Sequence, residues 1–118
     1  MTLKRGDVVL VWYPFASGIG GKRRPCLILQ NDMDNARLND TIVAQITSNL
    51  RAVLEPTQLL IDRATPEGKL TGLLHNSLVS CNNLATIEQR RVVKVIGSLT
   101  PIVLLEVEKC LKAALGMP

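Results

Sequence analysis

The segment DVVLVWY, at positions 7–13, carries apolar side chains at both its odd and its even positions. A strand whose two faces are both apolar belongs inside a sheet that is covered on both sides, whereas a half-exposed strand alternates apolar and polar residues. The segment CLILQ, at 26–30, has the same character. These two segments therefore predict the central strands of a closed or well-covered sheet.

Four further segments are short, apolar or β-branched, and bounded by the Gly, Asn, Asp and Pro residues typical of turns. They are TIVAQIT (41–47), TQLLID (57–62), SLVSC (77–81) and VVKVIG (92–97). NDMDNARLND, at 31–40, is expected to be a polar connection. Because no linker or repeat interrupts the sequence, residues 1–118 are expected to form one domain, a mainly β protein built on a small antiparallel barrel or sandwich.

The last segment, TPIVLLEVEKCLKAALG (100–116), is typical of a helix instead. Thr100 suits the N-cap, Pro101 the first helical position and Gly116 the C-terminal cap. Glu108 and Lys112 are spaced for an i,i+4 ion pair. The helix has a broad apolar band, which is wide enough to cover the barrel and also to reach a partner subunit. The band consists of Val103, Val107, Cys110 and Ala114, with Leu104, Leu111 and Leu115 beside them.

The composition narrows the possible partners. The sequence has 14 Lys and Arg against 10 Asp and Glu, a formal net charge of +4, which favours a polyanion such as nucleic acid. No stretch reaches the apolar length of a membrane span, and MTLKRGDVVL lacks the hydrophobic region of a signal peptide. We therefore expect a cytoplasmic protein without a membrane partner.

The cysteines do not predict a disulfide or metal site. Cys26, Cys81 and Cys110 are odd in number and far apart, and His75 is the only histidine. Neither a disulfide framework nor a zinc site has its ligands in this set. We expect the thiols to pack as small hydrophobic side chains, and we expect no metal or cofactor.

Three consecutive cations stand before a strand in GGKRRPCLIL (20–29). Pro25 holds the backbone of Arg24 extended, so the guanidinium has a defined starting direction. Its planar fork suits a phosphodiester, and Lys22 and Arg23 add charge beside it, while Gly20 and Gly21 allow a close approach of backbone and ligand. The alternative is a solvated turn in which an arginine pairs with a surface carboxylate.

A second polar cluster ends the strand at QITSN (45–49). The hydroxyls of Thr47 and Ser48 can donate to a phosphate oxygen. Alternatively, they satisfy backbone groups at the strand end, which is the more common role of such residues.

SCNNLATIEQRR (80–91) is a third polar cluster and includes Asn82, Asn83 and Thr86. Asparagine amides can bind base edges, but they also favour turns, and the sequence does not decide between the two. Of the aromatic residues, Trp12 is expected in the core, with base stacking as its alternative. His75 has no obvious partner and is expected to be a loop residue rather than an acid or base.

Taken in order, these segments resemble one family. RGDVVLVWYPF, RRPCLILQND, TIVAQITS, TIEQRRVVKVIGSLTP and LLEVEKCLKAALG are similar to the MazF/PemK toxins of toxin-antitoxin systems, from Lys4 to Gly116. The resemblance implies an SH3-like barrel with a C-terminal helix, a homodimer, and inhibition by a cognate antitoxin. It also implies metal-independent cleavage of single-stranded RNA, chiefly mRNA, that leaves 2′,3′-cyclic phosphate and 5′-hydroxyl ends.

By the same resemblance, Arg24 matches the family's catalytic arginine and Thr47 its catalytic hydroxyl residue. Attack by the ribose 2′-hydroxyl requires a proton acceptor, neutralisation of charge on the phosphate, and a proton donor for the leaving oxygen. Arg24 supplies the second of these, and Thr47 can donate to the developing oxyanion. The predicted RNA contacts are Gly21, Lys22, Arg23, Ser48, Asn82, Asn83 and Thr86.

The sequence departs from its relatives at residues 82–87. Many members have an acid-Gln-hydrophobic-basic-Thr-Ile segment there, whereas this chain has Asn82 in place of the acid and Ala85 in place of the base. The loop before Arg24 also lacks a common Glu-Gln pair. Two alternatives to an active enzyme stay open, an RNA-binding barrel with impaired catalysis and a noncatalytic gyrase inhibitor of the CcdB type. The presence of Arg24 and Thr47 favours the enzyme.

Overall fold

A computed structural model describes residues 2–118 and shows a curved antiparallel sheet with a long C-terminal helix. Within these residues the six strands lie in the order β4-β5-β3-β2-β1-β6. The strands are β1 Asp7–Pro14, β2 Gly21–Ile28, β3 Asp40–Thr47, β4 Gln58–Ile61, β5 Ser77–Glu88 and β6 Val92–Ser98. The helices are α1 Asp32–Arg37, α2 Pro66–Lys69 and α3 Pro101–Leu115, with a short 3₁₀ turn at Gln89–Arg91. The predicted mainly β architecture is confirmed.

The two doubly apolar strands are central, as predicted. Val8 and Leu27 are buried on one face of the sheet, in a core that includes Val107 of α3. Val9 and Cys26 are buried on the other face, in a second core. Both faces of β1 and β2 are therefore covered, which explains why neither strand alternates apolar with polar residues.

β2 begins earlier than the apolar run indicates. Its first residues pair with the end of β1, with Trp12 opposite Arg23 and Tyr13 opposite Lys22. The cations therefore lie within a two-stranded ribbon rather than in a loop before the strand. Pairing with β3 starts only at Cys26, one residue after Pro25, which has no amide hydrogen to donate.

Residues 31–40 contain a helix, so the prediction of a simple polar connection is wrong. Asn31 caps α1 by accepting from the Asp34 amide at 2.8 Å. Asn35 is buried: its Oδ1 accepts from Gln30 Nε2 at 3.0 Å and from Thr41 Oγ1 at 2.7 Å, and its Nδ2 donates to the Gln30 carbonyl at 2.9 Å. Internal hydrogen bonds thus make a polar segment part of the core.

Asn35→Ala is expected to destabilise the fold by about 3 kcal/mol, because three buried groups lose their hydrogen-bond partner at about 1 kcal/mol or more each. Chemical denaturation followed by circular dichroism measures this change. Arg37→Ala is the control on the same helix, since its ion pair with Asp34 lies at the surface, where such pairs contribute little to stability. Equal midpoints for the two variants would contradict the role assigned to Asn35.

β5 is longer than the predicted strand, which ended at Cys81. Its pairing with β3 jumps from Leu84 opposite Ala44 to Ser80 opposite Gln45. Residues 81–83 are therefore left out of that ladder, and the strand bends there as at a β-bulge. Asn82 and Asn83 occupy the bend, so they lie in a strand irregularity instead of a turn between strands.

The connection between β4 and β5 closes the barrel against β6. The amide of Ser98 donates to the Leu70 carbonyl at 3.0 Å. A Cβ on Gly97 would lie 2.3 Å from the Leu70 oxygen, and Gly72 adopts a φ of +71° beside the Ile96 carbonyl. Two glycines thus permit the close approach that brings residues 72–75 over the sheet.

The predicted limits of α3 are confirmed. The Thr100 hydroxyl accepts from the Val103 amide, and Gly116 ends the helix at a φ of +67°. Among the described residues, Glu108 pairs with Arg5 at 3.1 Å rather than with Lys112, so the expected pair within the helix is wrong. Leu115 is exposed, because the apolar band leaves the barrel at the last turn. Within residues 2–118, none of the helices has the length and apolar character needed to cross a bilayer.

The three cysteines are buried and unpaired, as predicted. Burial raises the pKa of the Cys26 and Cys110 thiols and raises that of Cys81 to about 12. The reactive thiolate is therefore suppressed, and the side chains act as small hydrophobic residues.

Candidate active site

A groove opens where β2 and β3 part. The two strands pair as far as Cys26 opposite Gln45. Beyond this point β2 continues along β1, with Arg24 opposite Val11, while β3 continues along β5, with Thr47 opposite Leu78. Arg24 and Thr47 therefore each lie two residues past the last shared pair, on opposite walls of the groove.

This groove forms a cavity of about 480 Å³, which we call the basic cleft. Its apolar floor comes from strands of the barrel and from the turn that closes it, and its polar rim comes from β2, the end of β3 and the connection before β5. The floor comprises Leu10, Pro25, Ile46, Leu73 and Ile96, and the rim includes Lys22, Arg23, Arg24, Thr47, Ser48, His75 and Ser77 with the exposed Leu74 beside them.

The charge of the cleft is uncompensated. Lys22, Arg23 and Arg24 are exposed, and the ion pairs found within residues 2–118 do not involve them. No carboxylate lines the cleft among the described residues. The predicted alternative, an arginine neutralised by a surface carboxylate, therefore does not describe Arg24. Cations without partners on a concave surface attract phosphate groups.

A cavity of about 390 Å³ elsewhere on the molecule has the opposite character. It lies between β4, α2 and α3, and its lining includes Asp62, Glu67 and Glu106. Three carboxylates repel a polyanion, so of these two cavities it is the basic cleft that has the charge suited to RNA.

The hydroxyl of Thr47 combines the two roles considered for it. Its oxygen accepts from the Asn49 amide at 3.1 Å, so it does satisfy the backbone at the strand end. That bond also fixes the oxygen and leaves the hydroxyl hydrogen available to donate. Ser48 is exposed beside it and lines the same cleft.

Asn82 lies in a neighbouring cavity of about 400 Å³, which we call the polar cavity. Its Oδ1 accepts from Gln58 Nε2 at 3.1 Å and from Ser80 Oγ at 3.0 Å. With the oxygen engaged twice, the amide nitrogen is the group presented to a ligand. Thr47 lines both cavities, so the polar cavity adjoins the basic cleft.

Three of the predicted RNA contacts lie outside both cavities. Gly21 lies under the Trp12 indole, since a Cβ there would be 2.5 Å from Trp12 Cζ2. Asn83 is exposed on the bend of β5. Thr86 pairs with Ile42, which is about 16 Å along β3 from Thr47 at the usual rise per residue.

Trp12 is 41% exposed, so its predicted place in the core is wrong. The ribbon of β1 and β2 extends beyond the layer of side chains that covers the sheet, and the indole packs across the ribbon instead.

Arg91 holds this end of β1: its Nε and Nη2 donate to the Trp12 carbonyl at 3.1 and 2.9 Å, and its guanidinium lies 4.9 Å from the Tyr13 ring centre. The sequence gives no local sign of this positioning role of Arg91, because its contacts join the 3₁₀ turn before β6 to the end of β1.

His75 is the other residue that the sequence analysis left without a role. It lies in a loop, as predicted, but that loop places it on the rim of the basic cleft. No local pattern could have indicated this position, since it results from the closure of residues 70–72 against β6.

The fold and the cleft together define a small β-barrel protein with a C-terminal helix and a cationic cleft at the point where β2 and β3 part. Residues 4–115 match the family model described as PemK-like, MazF-like toxin of type II toxin-antitoxin system. The chain belongs to this toxin family, as its sequence motifs predicted.

Individual relatives agree with this assignment. Endoribonuclease EndoA of Bacillus subtilis (strain 168) is 30% identical over 118 residues, covering 99% of this chain and 97% of that protein. Endoribonuclease MazF of Staphylococcus epidermidis is 28% identical over 116 residues, covering 98% and 92%. A mycobacterial endoribonuclease, solved in complex with its cognate antitoxin, has the same fold with a TM-score of 0.74 at 23% identity, covering 98% of this chain and 97% of that one.

Proposed function

We propose that this chain, acting as a single domain, cleaves single-stranded RNA in the basic cleft with Arg24 and Thr47 as its catalytic residues. The general class, an endoribonuclease toxin of a toxin-antitoxin system, is confirmed by its family and its curated relatives. The observation that carries the residue assignment is the parting of β2 and β3, which sets Arg24 and Thr47 on facing walls of one cavity.

The chemistry begins with attack of the ribose 2′-hydroxyl on the adjacent phosphorus. Charge accumulates on the nonbridging oxygens, and the Arg24 guanidinium is suited to bind two of them at once. Thr47 donates one further hydrogen bond from a hydroxyl whose oxygen is already fixed. The products are a 2′,3′-cyclic phosphate and a 5′-hydroxyl. Because the nucleophile belongs to the RNA and cations of the chain neutralise the phosphate, the reaction needs no metal ion.

Lys22 and Arg23 bind the RNA backbone on the same rim, and Ser48 adds a hydrogen bond beside the cut. Their contacts go to phosphate, so they contribute affinity with little base preference. Asn82 contributes the preference for a particular base, because its amide nitrogen can donate a hydrogen bond to an acceptor on the base edge. In this position the amide substitutes for the carboxylate of many relatives, so the chain should favour a different base there.

Asn82→Ala is expected to redistribute the cut sites, with the overall rate changed less than about tenfold, since one hydrogen bond to a base contributes about 1 kcal/mol. Sequencing the fragments of a long RNA measures the distribution. Asn83→Ala is the matched control, because its side chain lies outside both cavities. An unchanged distribution of cut sites in Asn82→Ala would exclude a role for this residue in base recognition.

The proposed partners follow from the surface. An acidic or amphipathic segment of a cognate antitoxin suits the basic cleft by charge and would exclude RNA. A second copy of the chain suits the apolar residues that α3 leaves exposed, which include Ile102, Leu105 and Leu115. We place the homodimer in the cytoplasm, where cleavage of mRNA stops translation and growth.

Incubation of the purified protein with a long single-stranded RNA in excess EDTA tests this function. We expect cuts at a short motif, with cyclic phosphate on one fragment and a 5′-hydroxyl on the other. Cutting that requires added divalent metal would contradict the mechanism. A folded protein that does not cut at all would instead be an RNA-binding barrel or a gyrase-type inhibitor.

A further inference from the structure

The proposed reaction removes one proton from the 2′-hydroxyl and adds one to the leaving 5′-oxygen. Most side chains of the cleft can neither accept the first proton nor supply the second. Lysine and arginine side chains keep their protons near neutral pH, and aliphatic hydroxyls neither gain nor lose one. Arg24, Lys22, Arg23, Thr47 and Ser48 all belong to these classes. Imidazole is the side chain that exchanges its proton between pH 5 and 8, and His75 is the one imidazole in the chain.

The backbone around His75 is held on both sides. Arg63 donates from Nη1 to the Leu74 carbonyl at 3.2 Å and from its amide to Asn76 Oδ1 at 2.9 Å. Ser77 Oγ donates to the carbonyl of His75 itself at 2.9 Å. The segment that carries the imidazole is therefore fixed, although it lies in a loop.

The ring nitrogens of the imidazole have no hydrogen-bond partner among the described residues. It is exposed, and among residues 2–118 no hydrogen bond or ion pair engages its ring nitrogens. The charged groups that face the cleft are Lys22, Arg23 and Arg24 from β2, and Arg63 lies behind the loop. β1 and β6 contribute the uncharged Leu10 and Ile96. Within residues 2–118, no carboxylate lines the cleft beside the ring.

From this arrangement we propose that His75 is the general base of the reaction, a role that rests on the proposed function. Its neutral ring nitrogen takes the proton of the attacking 2′-hydroxyl as the bond from 2′-oxygen to phosphorus forms. The bond from phosphorus to the 5′-oxygen breaks, its electron pair stays on that oxygen, and water supplies the proton of the 5′-hydroxyl. The imidazolium then returns its proton to solvent.

His75→Gln is expected to lower the cleavage rate at saturating RNA by about 100-fold, the usual contribution of one positioned base. The pH profile of the wild-type rate should contain a limb that depends on a general base, and this limb should be absent from the variant. Binding of an RNA with a 2′-deoxyribose at the cut should be unchanged, because that analogue retains every phosphate contact. A merely structural residue would not remove one limb of a pH profile.

Chemical rescue makes the test specific. His75→Ala is expected to recover activity in imidazole buffer, in proportion to the free-base concentration, because the open cleft admits a small molecule. Arg24→Ala is the control and should not recover. Melting curves of both variants verify that they fold.

Each outcome has a distinct meaning. A His75→Gln enzyme with the wild-type rate and pH profile would overturn the role of His75 and leave the ribonuclease function standing. Rescue that follows imidazolium instead of free imidazole would overturn the base and indicate an acid. A wild-type protein that does not cleave RNA would overturn the proposed function together with this inference.

Discussion

Arg24→Ala is expected to abolish RNA cleavage, lowering the rate at saturating RNA by about 1,000-fold, the upper range for removing one oxyanion-stabilising donor. The guanidinium lies two residues past the last β2–β3 pair, on the wall of the groove that faces Thr47, and its fork can bind two phosphate oxygens. Because the side chain is exposed, the melting temperature should change by no more than about 2 °C. Fragment analysis of a long RNA and thermal denaturation measure the two effects.

Arg23→Ala is the matched control for Arg24. It removes the same charge from the same cleft, so RNA affinity should fall, but the rate at saturating RNA should stay within about tenfold of wild type. Arg24→Lys separates charge from geometry, and we expect only partial recovery, since an ammonium group lacks the planar fork. A folded Arg24→Ala protein that cleaves as fast as Arg23→Ala would remove Arg24 from the mechanism.

The second large effect is structural. Gly97→Ala should destabilise the protein by about 3 kcal/mol, at the upper end of what overpacking usually costs. The added carbon would lie 2.3 to 2.5 Å from backbone atoms of Leu70 and Thr71, which cannot rotate away as a side chain can. The connection must therefore shift from β6, breaking the hydrogen bond from the Ser98 amide to the Leu70 carbonyl. We expect the melting temperature to fall by about 10 °C or more.

Cleavage should fall as well in Gly97→Ala, because the same connection carries Leu73 and His75 to the cleft. Gly116→Ala is the control: its surroundings are open, and only its left-handed backbone opposes a side chain, at about 1 kcal/mol. Its activity should equal that of the wild type. If Gly97→Ala and Gly116→Ala had the same melting temperature, the contact between residues 70–72 and β6 would have little importance for stability.

Local patterns predicted the strands and α3 well, because these elements depend on burial that repeats along the chain. The double apolar character of β1 and β2 reflects two cores, and the cap residues of α3 act within one turn of themselves. The motifs around Arg24 and Thr47 singled out two residues that line one cavity, and their catalytic roles stay a prediction.

The errors share a physical cause, which is contact between distant segments. Asn35 is buried because Gln30 and Thr41 hydrogen-bond to it, and polar composition alone indicates a loop. Trp12 is exposed because the β1–β2 ribbon extends beyond the core. The point at which the core ends depends on the packing of the whole sheet. His75 reaches the cleft only because Gly97 admits the closing turn. None of these relations has a signature in a short window of sequence.

Thr47 belongs to the basic cleft and to the polar cavity at once. Under the proposed function, a substitution at Thr47 would therefore alter both the speed of cutting and the choice of site. Asn82 lines only the polar cavity, so under the proposed function it could vary while the catalytic groups of the basic cleft are kept. The proposed function thus allows the target motif to change on one side of a single threonine while the rate of cutting is preserved on the other.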